Sequence, residues 1–397
     1  MVEAVIIDTV RTAVGRGKPD AGWLSQIHPA DLLADTLAGL VARVGIDAGL
    51  IEDAVMGTAA QIGPQTANIA RTAVLSAGFP VSVPGVTLDR ACGSSQQAVH
   101  FAAQGILSGT QDVVLAGGVE SMSQVPIGSA ADGREPYGPK YYERFPRDKP
   151  HSQGIAAEVI AVKWGITRHD ADEYSARSHE LAQQATEAGV LAREILPIKA
   201  PQADGSVLEV TTDQGIRPGT TVETLSGLRP AFWVPDYPDE LPWLVTAGNS
   251  SQISDGASAA LLMSDTKAAE LDLAPRARIH SLGLAGDDPI MMLTGIIPAT
   301  RKALERAGMT VDDIDVFEVN EAFASVVLAF QREFDVPMEK INVHGGAIAL
   351  GHPIGASGTR LLSSLLNALE VKDGQFGLQV MCEAGGLSNA TIVERLR

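Results

Sequence analysis

The two cysteines of the chain, Cys92 and Cys382, are the side chains with the clearest potential for covalent chemistry. Cys92 follows the apolar stretch 86–88 and comes directly before a helical pattern that begins with small residues. The helix dipole and the free backbone N–H groups at such a position favour a thiolate, so we expect a lowered thiol pKa and a nucleophile. The alternative is a small buried hydrophobic side chain, which is the commoner role of an arbitrary cysteine.

His352 occupies the turn in the second half of the chain that corresponds to the turn of Cys92. It lies in the glycine-rich segment 351–358, which also precedes a helical pattern. If the two helix starts face each other, a base stands beside the nucleophile, as nucleophilic catalysis requires. Taken alone, His352 is equally well explained as a hydrogen-bonding residue at a helix start.

Cys382 and Asn320 follow two further apolar stretches. Cys382 comes after 377–381 and precedes a loop of small residues, whose backbone N–H groups can approach a ligand closely. A second thiol would serve as an acid or base, and Asn320, after 316–319, can orient a water or donate to an oxyanion. Strand ends of this kind are a usual place for ligand contacts in open α/β sheets. For a lone asparagine, helix capping is the simpler explanation.

The elements that must position these residues occur twice along the chain. Segments 37–58 and 300–320 share the order amphipathic helix, exit glycine, acidic turn and apolar strand. Segments 86–119 and 345–386 share a short apolar stretch, a turn of small residues, a long helix and an apolar strand. Alternating strands and helices predict parallel strands covered by helices, and the two copies predict a duplicated α/β architecture.

The stretch between the repeats is too long for an ordinary connection and has a different composition. It is rich in Pro, Tyr, Arg and Asp, then helical near 155–192, then rich in turns. We therefore predict a lid or binding subdomain, 121–242, inserted into a first half formed by 1–120 plus 243–268. The second half is predicted over 269–397.

The composition excludes several classes of function. The 397 residues carry 30 Lys and Arg against 48 Asp and Glu, a net charge of −18, which argues against nucleic-acid partners and anionic membranes. An anionic ligand must therefore be held locally. No apolar run approaches the length of a membrane span and two thiols form no disulfide framework, so we predict a cytoplasmic location. Dinucleotide, P-loop, nucleophile-elbow and zincin motifs are absent, and no metal site is expected.

Four blocks of the sequence carry a resemblance to a known family: RACGSSQQA at 90–98, NEAFA at 320–324, GGAIALGHPIGASG at 345–358 and the loop after Cys382. In order and spacing they resemble the signature blocks of the thiolase family, and the resemblance covers essentially the whole chain. It implies an α/β fold, the duplicated thiolase fold, with two five-stranded mixed sheets in a layered α-β-α-β-α arrangement and an inserted loop domain. It also implies homodimers or homotetramers.

The resemblance assigns a role to each residue that matches the family's motifs. Cys92 matches the nucleophile that carries the acyl group as a thioester, and His352 matches the base that activates it. Cys382 matches the acid/base that exchanges a proton with the acetyl-CoA α-carbon, and Asn320 matches the residue that positions a water. That water and His352 form one oxyanion hole. The backbone N–H groups of Cys92 and Ala384 form the second, although the family has glycine where this chain has Ala384.

Further positions match family contacts to the substrate and to coenzyme A. Arg217, Thr224 and Ser251 match residues that touch the nucleotide or pantetheine, and Met292 lies in a segment near the acyl pocket. The family uses coenzyme A as a co-substrate. Acyl-CoA and CoA are therefore the expected partners, and no permanently bound cofactor is expected.

Departures from the family pattern bear on the substrate. Leu293 and Ile296 stand where Gly and Pro are common near the acyl pocket, and they add bulk. Where short-chain members carry His-Met-Gly, this chain has Ser-Gln-Gly at 152–154, with its histidine displaced to His151. These changes argue against an enzyme restricted to acetoacetyl-CoA. The blocks around Cys92 and Cys382 look most similar to those of degradative thiolases. The resemblance therefore implies thiolytic cleavage of a 3-ketoacyl-CoA, with ping-pong kinetics through the Cys92 thioester, in degradative fatty-acid or steroid-ring catabolism.

Three alternatives remain open. The first is a biosynthetic acetoacetyl-CoA thiolase, which runs the same Claisen chemistry in reverse. The second is a β-ketoacyl synthase-like condensing enzyme, which typically pairs its cysteine with two histidines, whereas the motifs here hold one histidine and a second cysteine. The third, a non-catalytic acyl-CoA-binding relative, would have no use for Cys92, His352, Cys382 and Asn320 together.

Overall fold

Strands form the framework of the molecule. The computed structural model describes residues 2–145, 152–235, 237 and 240–396. In chain order the strands are β1 (Ala4–Thr12), β2 (Gly15–Arg16), β3 (Asp53–Gly57), β4 (Val86–Leu88), β5 (Val113–Ser121), β6 (Ile195–Leu196), β7 (Ile198–Pro201), β8 (Val207–Val210), β9 (Ser254–Ser264), β10 (Ala277–Gly286), β11 (Val316–Val319), β12 (Phe376–Glu383) and β13 (Leu387–Arg395).

Helices cover and separate the strands. Among the described residues, no helix combines the length and the apolar character needed to cross a bilayer. The α-helices are α1 (Pro29–Val44), α2 (Ile69–Ser76), α3 (Ser94–Leu107), α4 (Pro139–Arg144), α5 (Gln153–Lys163), α6 (Arg168–Glu187), α7 (Val222–Ser226), α8 (Asp265–Glu270), α9 (Ile296–Ala307), α10 (Ala324–Phe334), α11 (Ala347–Leu350) and α12 (Ser357–Lys372).

Most strands join into one continuous mixed sheet in which the same order occurs twice. The first half runs β1-β9-β5-β3-β4 and the second runs β10-β13-β12-β11. The halves meet where β1 pairs antiparallel with β10, with Val5 opposite Arg278 and Ile6 opposite Ala277. The duplicated α/β architecture is therefore confirmed, although the two sheets are joined by this short ladder rather than separate.

The second half departs from the expected five strands at its outer edge. The segment that corresponds to β4 contributes a single bridge between Phe317 and Ile341. Asn342 follows with φ 47°, in the left-handed region, so the backbone cannot continue as an extended strand. The Asn342 side chain replaces the ladder instead, since its Oδ1 accepts from Val319 N and its Nδ2 donates to Val319 O, both at 2.8 Å.

Helices α3 and α12 form the middle layer of the fold. Alanines of α3 and leucines of α12 share one apolar core with residues from both halves of the sheet. The close approach of the helices depends on Gly358, since a Cβ there would lie 2.8 Å from Gln96 Cα. Cys92 lies just before α3 and His352 just before α12, so this crossing brings their two turns together.

We expect Gly358→Ala to lower the free energy of unfolding by roughly 3 kcal/mol, because the added methyl group would collide with the backbone of α3 at Gln96. The shift of the urea midpoint measures this change. Gly138→Ala is the matched control: Gly138 has φ −78° and nothing within 4 Å of an added Cβ. Its stability should change by less than about 1 kcal/mol. An unchanged midpoint for Gly358→Ala would contradict tight packing of α3 on α12.

The first part of the segment inserted after β5 packs against the second half, whereas its later part shares the apolar core of the first half and pairs β6 with β1. Helices α5 and α6 share an apolar core with α9 and α10, and Ser325 Oγ donates to Ala157 O at 3.0 Å. Tyr174 of α6 donates to Glu321, the neighbour of Asn320, at 2.6 Å. The insertion therefore completes the outer layer of the second half as well as bordering the site. The domain boundaries given above stay a prediction.

Candidate active site

Cys92 lies in a strained turn between β4 and α3. The preceding residue, Ala91, has φ 46°, a left-handed conformation that is costly for alanine. Asp89 Oδ1 accepts from Ala91 N at 2.7 Å, while Ser94 Oγ donates to Ala91 O at 2.6 Å and accepts from Arg90 N at 2.9 Å. These hydrogen bonds hold the turn and fix the direction of the Cys92 side chain, which is buried.

The imidazole of His352 is held with one ring nitrogen free. Nδ1 lies 2.6 Å from Ser357 Oγ, and the Ser357 hydroxyl donates to Pro353 O at 2.8 Å. Since a hydroxyl has one proton, Ser357 must accept from His352 Nδ1–H, which leaves Nε2 as the basic nitrogen. Within the described part of the chain, this buried Nε2 has no hydrogen-bond partner. His352 can therefore take a proton, as a general base must.

The buried environment keeps both groups neutral in the resting site. Burial and the nearby Arg360 guanidinium lower the pKa of His352 to about 3. Burial raises the pKa of Cys92 well above its usual value, and negative charge at Cys382 and Glu383 raises it further. The expectation of a low thiol pKa at the helix start is therefore wrong, because desolvation outweighs the backbone hydrogen bond that lowers the pKa. The Cys92 thiol needs a base.

Cys382 and Asn320 meet at the ends of neighbouring strands. Strands β11 and β12 run parallel, with Val319 opposite Val380, so the residues that follow them share one edge of the sheet. Asn320 Nδ2 donates to Cys382 Sγ at 3.7 Å. Burial raises the pKa of Cys382 to about 11, and the Asn320 hydrogen bond opposes that shift. Helix α10 begins at Ala324, so Asn320 does not cap it.

A cavity of about 330 Å³ opens onto Cys92 and His352. Its wall is mostly apolar and draws on the first half, the insertion and the second half; the ring of Phe232 meets that of Phe323 edge-on at 5.8 Å. Such a wall suits an acyl group and a flexible arm. Within the described residues, no three His, Cys, Asp or Glu side chains converge as metal ligands would. The other lining residues are Met122, Ile127, Gln153, Ser250, Ser251, Gln252, Ile253 and Ile354.

The structure brings some of the expected binding residues to this cavity and places others elsewhere. Ser251 lines the cavity. Arg217 and Thr224 lie on the exposed surface of the insertion, where Thr224 pairs with Thr221 in the capping box of α7. Met292 is buried in the apolar core of the second half. Of the four expected contacts, the cavity wall therefore includes Ser251.

The bulk expected near the acyl pocket does not reach this cavity. Leu293 and Ile296 are buried in the same core of the second half, because their segment turns inward ahead of α9. Gln153 of the insertion does line the cavity. His151 lies outside the described residues. The apolar wall of this cavity is instead formed by side chains such as Phe232, Phe323 and Ile354.

The loop after Cys382 accommodates the alanine at 384. The left-handed positions fall on Gly385 and Gly386, with φ 79° and 78°. Ala384 comes directly after β12, is half-buried and does not adopt a positive φ. Its backbone therefore needs no glycine, and alanine supplies the same N–H without strain.

Two supporting residues, Ser357 and Glu120, escaped the sequence analysis. Ser357 fixes the ring of His352, as described above. Glu120 is buried and accepts from Gly355 N and Ala59 N, both at 2.9 Å, which ties the turn after His352 to the first half. Two features of the sequence could have identified them: Glu120 is a charged residue within the apolar strand β5, and Ser357 follows His352 by five residues.

Comparison with known proteins finds one family over both halves. The model of the thiolase N-terminal domain matches residues 4–266, and that of the thiolase C-terminal domain matches residues 273–395. The steroid 3-ketoacyl-CoA thiolase FadA6 of Mycobacterium tuberculosis is 46% identical over 404 residues, which cover 100% of this chain and 95% of that relative. The 3-ketoacyl-CoA thiolase of Idiomarina loihiensis is 45% identical over 400 residues, which cover 100% of both chains. The crystal structure of the Bacillus anthracis acetyl-CoA acetyltransferase matches with a TM-score of 0.88 at 36% identity, over 100% of this chain and 99% of that one.

Proposed function

The chain belongs to the thiolase family, and on that premise we propose that it cleaves a 3-ketoacyl-CoA, with coenzyme A, into acetyl-CoA and an acyl-CoA shortened by two carbons. It is an acyltransferase. The observation that carries the proposal is the presence of a buried thiol and an imidazole with a free Nε2 in the wall of one apolar cavity.

The first half-reaction makes an acyl-enzyme on Cys92. His352 Nε2 accepts the thiol proton, and the sulfur attacks C3 of the substrate, whose oxygen becomes negative. The bond between C2 and C3 then breaks, which leaves the acyl group on Cys92 and an acetyl-CoA enolate. Cys382, which its high pKa of about 11 keeps protonated, gives its proton to C2 of the enolate.

The two developing oxyanions need separate donors. We assign one to His352, protonated at Nε2 after the first transfer, together with a water held by Asn320. Asn320 Oδ1 is buried and, among the described residues, has no partner, so it can hold that water. We assign the other oxyanion to the backbone N–H groups of Cys92 and Ala384.

Coenzyme A completes the cycle as the second substrate. Its thiol gives a proton to the Cys382 thiolate and attacks the thioester on Cys92. The Cys92 sulfur leaves and recovers its proton from His352. Because the first product departs before coenzyme A reacts, the kinetics are ping-pong.

The cavity favours an acyl group larger than acetyl. Ile127 and Ile253, which border it, are 62% and 47% exposed, so an apolar surface continues from the cavity to solvent. We therefore propose longer or ring-containing 3-ketoacyl-CoAs in degradative lipid or steroid catabolism, in line with the name of the Mycobacterium tuberculosis relative. The name of the Bacillus anthracis relative supports the alternative, an enzyme acting on acetoacetyl-CoA.

We also propose a homodimer or homotetramer located in the cytoplasm. Strand β4 pairs with β3 on one side and, among the described strands, lies at the edge of the sheet. Val86 on β4 and Phe101 on the neighbouring α3 are each 45% exposed. Exposed apolar edge strands are normally covered, and a second copy would cover this one. Two free thiols suit a reducing compartment.

Incubation with 3-ketoacyl-CoAs of increasing length and with a cyclic 3-ketoacyl-CoA, without free CoA, is expected to raise the intact mass of the protein by one acyl group. The adduct should disappear when CoA is added. The fastest reaction is expected with a longer or cyclic acyl group, because the cavity wall is apolar and open to solvent. Intact-mass spectrometry measures both steps.

Other outcomes of this experiment point to the alternatives. Reaction with acetoacetyl-CoA alone would favour the biosynthetic thiolase. Acyl transfer to a carrier protein without CoA would indicate a synthase-like condensing enzyme. The absence of an adduct with every substrate would leave a non-catalytic acyl-CoA-binding relative.

A further inference from the structure

The carboxyl group of Glu383 is buried beside both cysteines, and the mechanism above gives it no role. Glu383 follows Cys382 at the end of β12 and is fully buried. Within the described residues, neither Oε1 nor Oε2 has a hydrogen-bond partner. A buried carboxylate without partners is energetically costly, so we expect this carboxyl group to be protonated or to have a functional role.

Glu383 packs against the turn that presents the nucleophile. A Cβ at Gly93 would lie 2.5 Å from Glu383 Cδ and 3.2 Å from Asn389 Oδ1, so the carboxyl group and this amide oxygen border the same glycine. Gly93 directly follows Cys92 and is the N-cap residue of α3. The carboxyl group of Glu383 therefore lies against the turn of Cys92.

Asn389 of β13 presents an unpartnered oxygen to the same position. Its Nδ2 donates to Gln97 Oε1 at 3.0 Å and contacts His100 Nδ1 at 3.1 Å, which sets the orientation of the amide. In the described part of the chain, its buried Oδ1 has no partner. Glu383 and Asn389 thus both place unpartnered acceptor oxygens beside Gly93, and two acceptors form a hydrogen bond only when one of them carries a proton.

We propose that Glu383 is a positioning residue of the active site: as a neutral carboxylic acid it donates a hydrogen bond to Asn389 Oδ1 beside Gly93, and it thereby holds the turn of Cys92. Ionisation of Glu383 breaks this hydrogen bond and places a negative charge next to both thiols. The expected effect on the rate of Cys92 acylation rests on the proposed function. The neutral state of the carboxyl group is a separate property of the fold.

The pKa values of Glu383 and of the two thiols beside it agree with a neutral carboxyl group. Burial raises the pKa of Glu383 to about 8, which keeps the carboxyl group mostly neutral near neutral pH. A charge on Glu383 raises the pKa of Cys92 and of Cys382, so its ionisation makes either thiolate harder to form. Arg90 and the backbone of Asn389 lower the pKa of Glu383 and Asp89 raises it, but burial is the largest effect. The thiols of Cys92 and Cys382 are the other titratable groups that interact with it.

The test measures how fast acetyl-CoA acylates Cys92 at about pH 7 and about pH 9, by quenched-flow intact-mass spectrometry. With a pKa of about 8, the neutral fraction of Glu383 falls about tenfold over this interval, so the wild-type rate should fall about tenfold. Glu383→Gln keeps the shape and an N–H donor without ionising, and its two rates should agree within about twofold. Glu394→Gln, the same substitution on β13 at a surface ion pair with Arg278, should behave as the wild type.

The same pH dependence in the wild type and in Glu383→Gln would overturn the proposal. Infrared spectroscopy gives an independent readout: the wild type should show the carbonyl band of a neutral carboxylic acid that Glu383→Gln removes, and the absence of that difference would also overturn it. If the wild type forms no adduct at either pH, the proposed function fails, and the infrared measurement still decides the state of Glu383.

A second variant keeps the proposal testable if Glu383→Gln does not fold. Asn389→Ala removes the acceptor of the Glu383 proton, which destabilises the neutral form and lowers the pKa of Glu383. The alkaline fall in the acylation rate should then move to lower pH than in the wild type. An unshifted fall would exclude the Glu383–Asn389 hydrogen bond.

Discussion

Cys92→Ala should abolish the acyl-enzyme and lower kcat for thiolysis by roughly five orders of magnitude. In the proposed mechanism both half-reactions pass through the thioester on this sulfur, so no partial pathway survives its removal. Cys382 cannot substitute for it, because its sulfur is fully buried and is hydrogen bonded to Asn320. Steady-state consumption of a 3-ketoacyl-CoA and the intact mass of the variant measure the loss.

Cys382→Ser is the matched variant that separates the roles of the two thiols. Acyl transfer from acetyl-CoA to Cys92 moves no carbon-bound proton and expels a thiolate, a leaving group that can depart without the proton of Cys382, so this variant should still be acylated by acetyl-CoA. It should fail to cleave a 3-ketoacyl-CoA, because the enolate then lacks its acid. An acyl adduct on Cys92→Ala, or thiolysis by Cys382→Ser at the wild-type rate, would contradict the assignment.

His352→Asn is expected to lower the rate of Cys92 acylation by about a thousandfold. Burial keeps the Cys92 thiol protonated, and the free Nε2 of His352 is the base that faces the same cavity. Because burial lowers the pKa of His352 to about 3, the imidazole is neutral at working pH. The wild-type acylation rate should therefore not fall between about pH 7 and about pH 5, and quenched-flow intact-mass spectrometry measures it.

Ser357→Ala tests whether the ring of His352 must be held in one tautomer. The variant keeps the base but removes the acceptor of the Nδ1 proton, so a loss of about tenfold, smaller than that of His352→Asn, is expected. An unchanged circular dichroism spectrum would show that both variants fold. Full activity of His352→Asn would mean that the helix start alone ionises Cys92, which is what the sequence pattern favours.

The duplicated fold could be predicted because each of its units is local. A helix with its exit glycine, an acidic turn and an apolar strand are encoded within about twenty contiguous residues, and their repetition is visible in the amino-acid sequence. Gly45 and Gly308 indeed end α1 and α9 in the left-handed conformation. The missing fifth strand of the second half could not be predicted in this way, because the left-handed backbone of Asn342 is stabilised by its hydrogen bonds to Val319, on another strand.

For the candidate site as well, local sequence predicts some features, and the packing of distant residues decides the others. The sequence by itself determined which groups are available, since the order and spacing of the four blocks named Cys92, His352, Cys382 and Asn320. The tertiary structure alone decided their protonation, because desolvation depends on everything packed around a group and outweighs the backbone hydrogen bond available at the helix start. It also decided that Ser251 lines the cavity while Met292 is buried in the core. Distances between residues far apart in the chain are set by how helices and strands pack, and no local pattern encodes them.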